Sequence, residues 1–346
     1  MSKQTVFRLK ARSSPDDLVA SEEAIPSIGK YEVLIKVRGV TLNYRDIAIS
    51  KSKYPFTVKD NVVPGSDAAG DIVKVGDGVR ELSEGDRVIG CFDITNQYGP
   101  QQDWDWGQGG PIDGVMRQYI TLPASAVIKI PQGSPQSYLE WACLVCTGAT
   151  AWNALYGNNP LIPGQTVLFQ GTGGVSITGL IFAKAAGATT IITSSSDEKL
   201  EYVKSKFGAD HVINYKKVPN WGEEARKLTA GKGVDQVFEN GGSATIEQSV
   251  AAIARGGIIS IIGFLALAEQ SQMPDVTQLA LGSGSIIRGI NVGSKQLLED
   301  CVKFVAKAGL RMPVEKEFGF SRDEIVNAYK YLESGQHIGK VCINVD

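Results

Sequence analysis

Apolar and polar positions along this chain fall into three successive regions of different period. From Tyr31 to Val37 (Y-E-V-L-I-K-V) they alternate as in a half-buried strand. Asp71–Val75 and Arg87–Ile89 read as further short strands, separated by Pro64-Gly65, Gly76-Asp77-Gly78 and Glu84-Gly85-Asp86. Many short strands with turn signals predict a β-rich domain over residues 1–125. From about 126 to 290 the period changes. Strands at Val167–Phe169, Thr190–Thr193, His211–Tyr215, Val234–Glu239 and Ile258–Ile262 alternate with helical patterns at Glu198–Phe207, Trp221–Thr229 and Ala244–Ala254. Such alternation predicts an α/β region built on a doubly wound parallel sheet. Then come a helix over Ser294–Lys307, a strand over Val314–Phe318, an amphipathic helix over Arg322–Leu332 and a strand over Val341–Val345. This tail has the texture of the beginning, so residues 291–346 are expected to rejoin the first domain.

The sharpest local pattern runs from Thr166 to Gly187. An apolar strand leads into G-T-G-G-V-S (Gly171, Thr172, Gly173, Gly174, Val175, Ser176), and Ile177, Leu180 and Ile181 follow at helical spacing. Missing Cβ atoms let a pyrophosphate approach the backbone, and a helix N-terminus offers unpaired N–H groups. Strand, glycine turn and helix are the context of a dinucleotide fingerprint. The strict form needs glycine where Ser176 stands. On those six residues alone, an ordinary strand-to-helix turn is the competing reading.

Composition narrows the class. Hydrophobic residues make up 43% of 346, which supports large buried cores. A net charge of −2 gives no basis for nucleic-acid binding. No apolar run approaches the ~20 residues of a spanning helix, and the N-terminus lacks a signal-like apolar stretch, so a cytoplasmic protein is expected. The five cysteines are odd in number and irregularly spaced; Cys143 and Cys146 form a lone C-x-x-C pair, read as buried thiols. Between Asp93 and Gly114 a polar, glycine-rich stretch carries Trp104 and Trp106 and reads as a long functional loop, whose aromatics suggest a flat or apolar substrate.

With L-N-Y-R-D (42–46), V-P-G-S-D-A-A-G (63–70), E-G-D-R-V (84–88), T-G-A-T-A-W-N-A-L (147–155), the glycine turn, F-G-A-D-H-V-I-N-Y (207–215), G-G-I-I-S-I-I-G (256–263) and G-K-V (339–341), the chain resembles the medium-chain dehydrogenase/reductase superfamily from end to end. It is most similar to the zinc-free quinone oxidoreductases and enoyl reductases. The resemblance implies a GroES-like β-rich catalytic domain (1–125 and 291–346), a Rossmann nucleotide domain (126–290) and an active site in the cleft between them. In zinc-dependent relatives a Cys, a His and a Cys hold the catalytic metal. The matching positions here are Asn43, Ser66 and Cys146, so no metal is expected. Near residues 91–115 only Cys91 remains of the four cysteines a structural zinc would need.

For the cofactor the resemblance implies contacts from Thr150, the glycine turn, Asn240, Gly263, Phe264, Ile290 and Val292. The second strand ends in Ser194 and Ser195, with Lys199 one helical turn on; Ser195 and Lys199 suit a 2′-phosphate, and Tyr215 matches a tyrosine of NADPH-dependent quinone reductases. NADPH is therefore expected. Two features compete: Ser195 and Glu198 could form only a capping box, and Asp197 could instead reach a ribose hydroxyl. For chemistry, Asn43 and Tyr54 are the candidates, with Tyr44 second; Arg45 and Asp46 are expected to form a structural ion pair. The expected activity is NADPH-dependent reduction of α,β-unsaturated carbonyls or quinones. Metal-free carbonyl reduction or alcohol oxidation is the alternative within enzymes, and a cofactor-binding sensor or structural protein without turnover the alternative outside them. A homodimer is expected through the strand-like Ser285–Val292, with a small-molecule substrate and no membrane partner.

Overall fold

A computed structural model describes residues 2–345. The chain divides into two compact units, one of residues up to Ala149 with those from Val292 onward, the other of Thr150–Asn291.

The first unit opens with an antiparallel hairpin of β1 (Lys3–Leu9) and β2 (Leu18–Ala24). The sequence pattern had not marked it, because the polar run S-E-E hides the second strand. β3 (Glu32–Thr41) is the central strand of the main sheet and leads into a short helix, α1 (Tyr44–Ser50). β4 (Asp67–Val75), β5 (Arg87–Gly90), β6 (Tyr119–Pro123) and β7 (Val127–Lys129) follow, then α2 (Tyr138–Ala142). A single π-helical turn over Leu144–Gly148 joins α2 to α3 (Ala149–Tyr156). α1 had not been expected either. Six of its seven residues are buried, so no polar face exists to give it a period.

The second unit carries β8 (Thr166–Gln170), α4 (Gly174–Ala185), β9 (Thr189–Ser194), α5 (Asp197–Phe207), β10 (His211–Asn214) and α6 (Trp221–Leu228). β11 (Val234–Glu239), α7 (Ile246–Ala252), β12 (Ile253–Ile261), α8 (Val276–Ser283) and β13 (Ile286–Gly289) complete it. Its six strands are all parallel in the order β10-β9-β8-β11-β12-β13, a doubly wound sheet that reverses between β8 and β11. Parallel strands need crossovers, and the helices between them supply these.

The chain then returns to the first unit with α9 (Lys295–Ala308), β14 (Val314–Phe318), α10 (Arg322–Glu333) and β15 (Lys340–Asn344). β15 pairs with β3 and completes a seven-stranded sheet. Val33, Ile35, Val37, Leu42, Ile47, Ile325, Tyr329, Val341 and Ile343 meet in its core.

The domain boundary differs from the expected 126. β7 pairs with β5, and α2 lies so close to β3 that a Cβ on Gly39 would stand 2.7 Å from Leu139 Cδ2. Residues 126–149 therefore pack with the first unit, which ends at Ala149. At the far end the units divide between Asn291 and Val292, one residue later than expected.

Candidate active site

In the second unit the glycine turn sits at the C-terminal end of β8, beside the point where the strand order reverses. Gly171 has φ +74, in the left-handed region that favours glycine. A Cβ added at Gly171 or Gly173 would meet nothing within 4 Å, so the backbone faces open space. Gly173 is the N-cap of α4 and supplies no side chain to satisfy its first N–H groups. The turn thus presents bare donors at the positive end of a twelve-residue helix, a fit for a pyrophosphate. Ser176 is buried and donates to Gln170 O at 2.7 Å, so its side chain braces the turn from below. Close approach of α4 to the sheet falls instead to Gly179, where a Cβ would lie 2.7 Å from the rings of Phe169 and Phe238.

Beneath the turn lies a network without an obvious sequence signal. Glu239 at the end of β11 is fully buried and accepts from Thr245 Oγ1 (2.5 Å), Ser249 Oγ (2.5 Å), Gln170 Nε2 (2.7 Å) and the N–H groups of Gly241 and Gly242 (2.8 and 2.9 Å). Asn240 Nδ2 donates to Gln170 O and Ser176 Oγ, each at 2.9 Å. A Cβ on Gly263 would stand 2.5 Å from Asn240 O, so β12's exit lies against the same loop. Phe264 is exposed, Thr150 and Thr172 are buried, and Val175 is half-buried. Ile290 donates its N–H to Ile261 O at 2.9 Å. Val292 has φ +49, a strained value for a β-branched residue.

At the end of β9, Ser194 is buried and Ser195 half-buried, and the N–H of Tyr215 donates to Ser194 O at 3.1 Å, which brings Tyr215 to the same sheet edge. The cap of α5 is not Ser195. Ser196 accepts from the N–H of Lys199 at 3.3 Å. Asp197 accepts from Asn214 Nδ2 at 2.7 Å and pairs with Lys217 at 2.5 Å.

In the first unit, Asn43 stands at the start of α1, where its N–H donates to Asp46 Oδ2 at 2.7 Å. Its side chain turns to Lys340, whose Nζ donates to Asn43 Oδ1 at 2.6 Å and to Leu42 O at 2.8 Å. Lys340 also lies 3.5 Å from Asp67 Oδ2. Asp67 takes Ser66 Oγ at 2.6 Å and accepts the Cys146 N–H and Thr41 Oγ1, each at 3.3 Å. Asn43, Ser66 and Cys146 are thus brought together around a buried lysine–aspartate pair. Burial opposes the Lys340 charge, but Asp67 and the sulfurs of Cys143, Cys146 and Cys342 outweigh it and hold the ammonium's pKa above its ordinary value. Burial, aided by Asp67, pushes the Cys146 thiol up to about 12. Burial also lifts Asp46 to about 6.

Arg45 pairs with Asp46 at 3.8 Å, as expected, but its closer contacts are elsewhere. Its guanidinium lies between the rings of Tyr54 (5.2 Å) and Phe92 (4.8 Å) and donates to Gln108 O at 3.0 Å. Burial works against this charge; Tyr54 and Asp46 more than offset it. Tyr54 is half-buried and meets Phe56 edge-on at 5.3 Å, and Phe56 stacks on Trp104 at 3.6 Å with 12° between planes. Three rings therefore extend from Arg45 along the loop. Tyr44 is half exposed at 50%. The loop over 93–114 is tied by Asp93, which accepts from Thr95, Asn96 and Gln101. It rests on the segment that leads into β4: a Cβ on Gly114 would lie 1.9 Å from Gly65 O. A groove of about 660 Å³ elsewhere in this unit, lined by Tyr31, Arg80, Lys129 and Lys295, holds none of these residues.

Lys340, Asp67, Gln170 and Glu239 were not singled out from sequence. The first two stood inside the quoted G-K-V and V-P-G-S-D motifs, but 273 positions separate them.

The comparisons agree with this architecture. Residues 29–132 match the alcohol dehydrogenase GroES-like domain, and residues 174–307 match the zinc-binding dehydrogenase family. A zinc-type alcohol dehydrogenase-like protein of Schizosaccharomyces pombe is 43% identical over 96% of both chains. An acryloyl-coenzyme A reductase of Metallosphaera sedula is 30% identical over 92% of this chain and 93% of its own. A solved structure from Sinorhizobium meliloti that carries an alcohol dehydrogenase name superposes with TM-score 0.91 at 34% identity, covering 100% of both. The chain belongs to the medium-chain dehydrogenase/reductase superfamily, a family of oxidoreductases that bind a nicotinamide cofactor.

Proposed function

We propose that this protein is a zinc-independent NADPH-dependent reductase of activated double bonds, in α,β-unsaturated carbonyls or quinones. The observation that carries the reading is the set Asn43, Ser66 and Cys146 around Lys340. Zinc needs deprotonated sulfur and imidazole or carboxylate donors. Here only Cys146 offers such a donor: Asn43 Oδ1 is taken by a lysine ammonium, and Ser66 Oγ donates to Asp67. A fixed cation 2.6 Å from Asn43 repels a second one. Among the described residues, no group of three or more His, Cys, Asp or Glu side chains suits a metal. These residues do not fit zinc, and no step is routed through it.

Bound NADPH supplies a hydride. With no metal, negative charge that develops on the acceptor's oxygen must be met by hydrogen-bond donors. An activated C=C bond eases this demand, because hydride at the β-carbon spreads the charge as an enolate. Asn43 Nδ2 donates to that oxygen. Tyr54 gives up a proton, and the Arg45 guanidinium beside its ring attracts the charge left behind. The Tyr54–Phe56–Trp104 row suits a flat apolar substrate. The acryloyl-coenzyme A reductase among the relatives is named for an α,β-unsaturated thioester, which supports this substrate class.

NADPH is preferred because Asp197 is already paired with Asn214 and Lys217, while Ser194, Ser195 and Tyr215 share one sheet edge near Lys199. We further propose a homodimer through β13, one of the two edge strands of its sheet, near which Leu281 is 83% exposed. Cofactor oxidation, followed by absorbance across a panel of enones, quinones and aldehydes, tests the reading. Turnover with NADPH and an enone or quinone is expected. Preference for NADH, or turnover with aldehydes alone, would overturn it.

A further inference from the structure

We propose that Lys340 is a positioning residue: it turns the Asn43 amide so that Nδ2 is the donor offered to a carbonyl-type oxygen of the bound ligand. The inference rests on the reductase reading above. An asparagine amide has two prongs of similar shape, an acceptor and a donor. An ammonium can only donate, so the prong that faces Lys340 Nζ at 2.6 Å must be Oδ1. The opposite orientation would set NH₂ against NH₃⁺. The amide is therefore locked, and Nδ2 faces the other way. Asn43 is 8% exposed, and its buried Nδ2 has no hydrogen-bond partner among the described residues. Buried polar groups are normally paired, so this unmet donor is open to a ligand oxygen.

The lock is built by the fold. β15 pairs antiparallel to β3 with Cys342 opposite Thr41. Leu42 N–H donates to Val341 O at 3.0 Å, so the pairing runs on and brings Lys340 beside Asn43. Lys340 is 2% exposed and can reach little else. Asp67 sets its position from the other side and is itself fixed by Ser66, Thr41 and the Cys146 N–H. Asp67 holds Lys340, Lys340 holds Asn43, and the amide N–H faces the ligand. Two oxygens share the required chemistry: the carboxamide of the nicotinamide and the carbonyl of the substrate.

Three variants and one spectrum test this. Asn43→Asp keeps an acceptor for Lys340 and replaces the outward donor with a carboxylate oxygen. It is expected to melt no lower than wild type while kcat with cyclohexenone falls about 10²-fold, the scale of one lost oxyanion donor. Lys340→Met frees the amide; kcat is expected to fall about tenfold or more, while Lys340→Arg keeps the donor and stays within about threefold of wild type. The spectrum uses wild-type protein with ¹⁵N-labelled asparagine side chains, and Asn43→Asp identifies the signal by its loss. A shift of this amide on NADPH addition assigns the carboxamide, and a shift only when enone follows NADP⁺ assigns the substrate; either supports the proposal. No shift with either ligand overturns it, also where Lys340→Met does not fold. A folded Lys340→Met with wild-type kcat overturns it too. If wild type turns over no enone or quinone, the reductase reading fails by itself, and the amide shift still judges Lys340.

Discussion

At the scale of single residues, the proposed chemistry depends on two polar side chains and the charges that hold them. Tyr54 and Asn43 could be singled out because their motifs resemble those of known reductases. What holds them could not, since Lys340, which fixes Asn43, lies on a strand far along the chain, and Arg45, which lies over the Tyr54 ring, is itself held by the Gln108 carbonyl of a distant loop. Arg45 illustrates the gap. Its pairing with Asp46 was legible and is present at 3.8 Å, but the ring faces of Tyr54 and Phe92 and the Gln108 carbonyl that also hold it were not. Tyr54→Phe removes the proton and keeps the ring that packs on Arg45 and Phe56. It is expected to lower kcat about 10²-fold, the usual scale of general acid help, with NADPH affinity unchanged. Stopped-flow kinetics and a fluorescence titration measure the two. A variant with wild-type kcat would remove Tyr54 from the mechanism.

At the scale of elements, sequence period worked where burial is one-sided or where strands are short and almost wholly buried. β8, β9, β11, α5 and α10 lie within a residue or two of expectation. It failed for α1 and α2, which have little solvent face, and so misplaced the boundary at 126. Two elements give tests. Gly173→Asp places a good N-cap in open space at the start of α4, so melting temperature is expected to hold or rise. The same carboxylate would repel a pyrophosphate, and NADPH affinity is expected to fall about tenfold or more. Unchanged affinity would show that the turn does not hold the phosphates. The second test is Glu140, which caps α2 and accepts from Arg311 at 2.6 and 2.8 Å and from the N–H groups of Ser137 and Met312 at 2.9 and 3.1 Å. Burial alone would raise its pKa; Arg311 and the two N–H groups reverse that and hold it below the usual carboxylate value. A depressed native pKa stabilises the fold above the unfolded value of ~4.3, and the gain is lost as pH falls through the native one. Glu140→Gln is therefore expected to cost ~1–3 kcal/mol at pH 7, with the gap to wild type closing below pH ~4. Urea unfolding at the two pH values measures it; a gap independent of pH would contradict the assignment.

At the scale of the whole molecule, the order of motifs was enough to read the two-unit architecture and the return of the tail to the first sheet. The proposed dimer rests on β13, a sheet edge with unpaired backbone groups. Light scattering is expected to give about twice the 37.0 kDa chain mass at micromolar concentration; particles of one chain mass would contradict the dimer. The central claim, hydride transfer to an activated C=C bond without zinc, has one direct test. Metal-depleted protein is given cyclohexenone and NADPH carrying deuterium at the transferable position, and the product is analysed by mass spectrometry and NMR. The account predicts saturated cyclohexanone with deuterium on the β-carbon. Deuterium on the carbinol carbon of an allylic alcohol, or turnover only after zinc is restored, would contradict it.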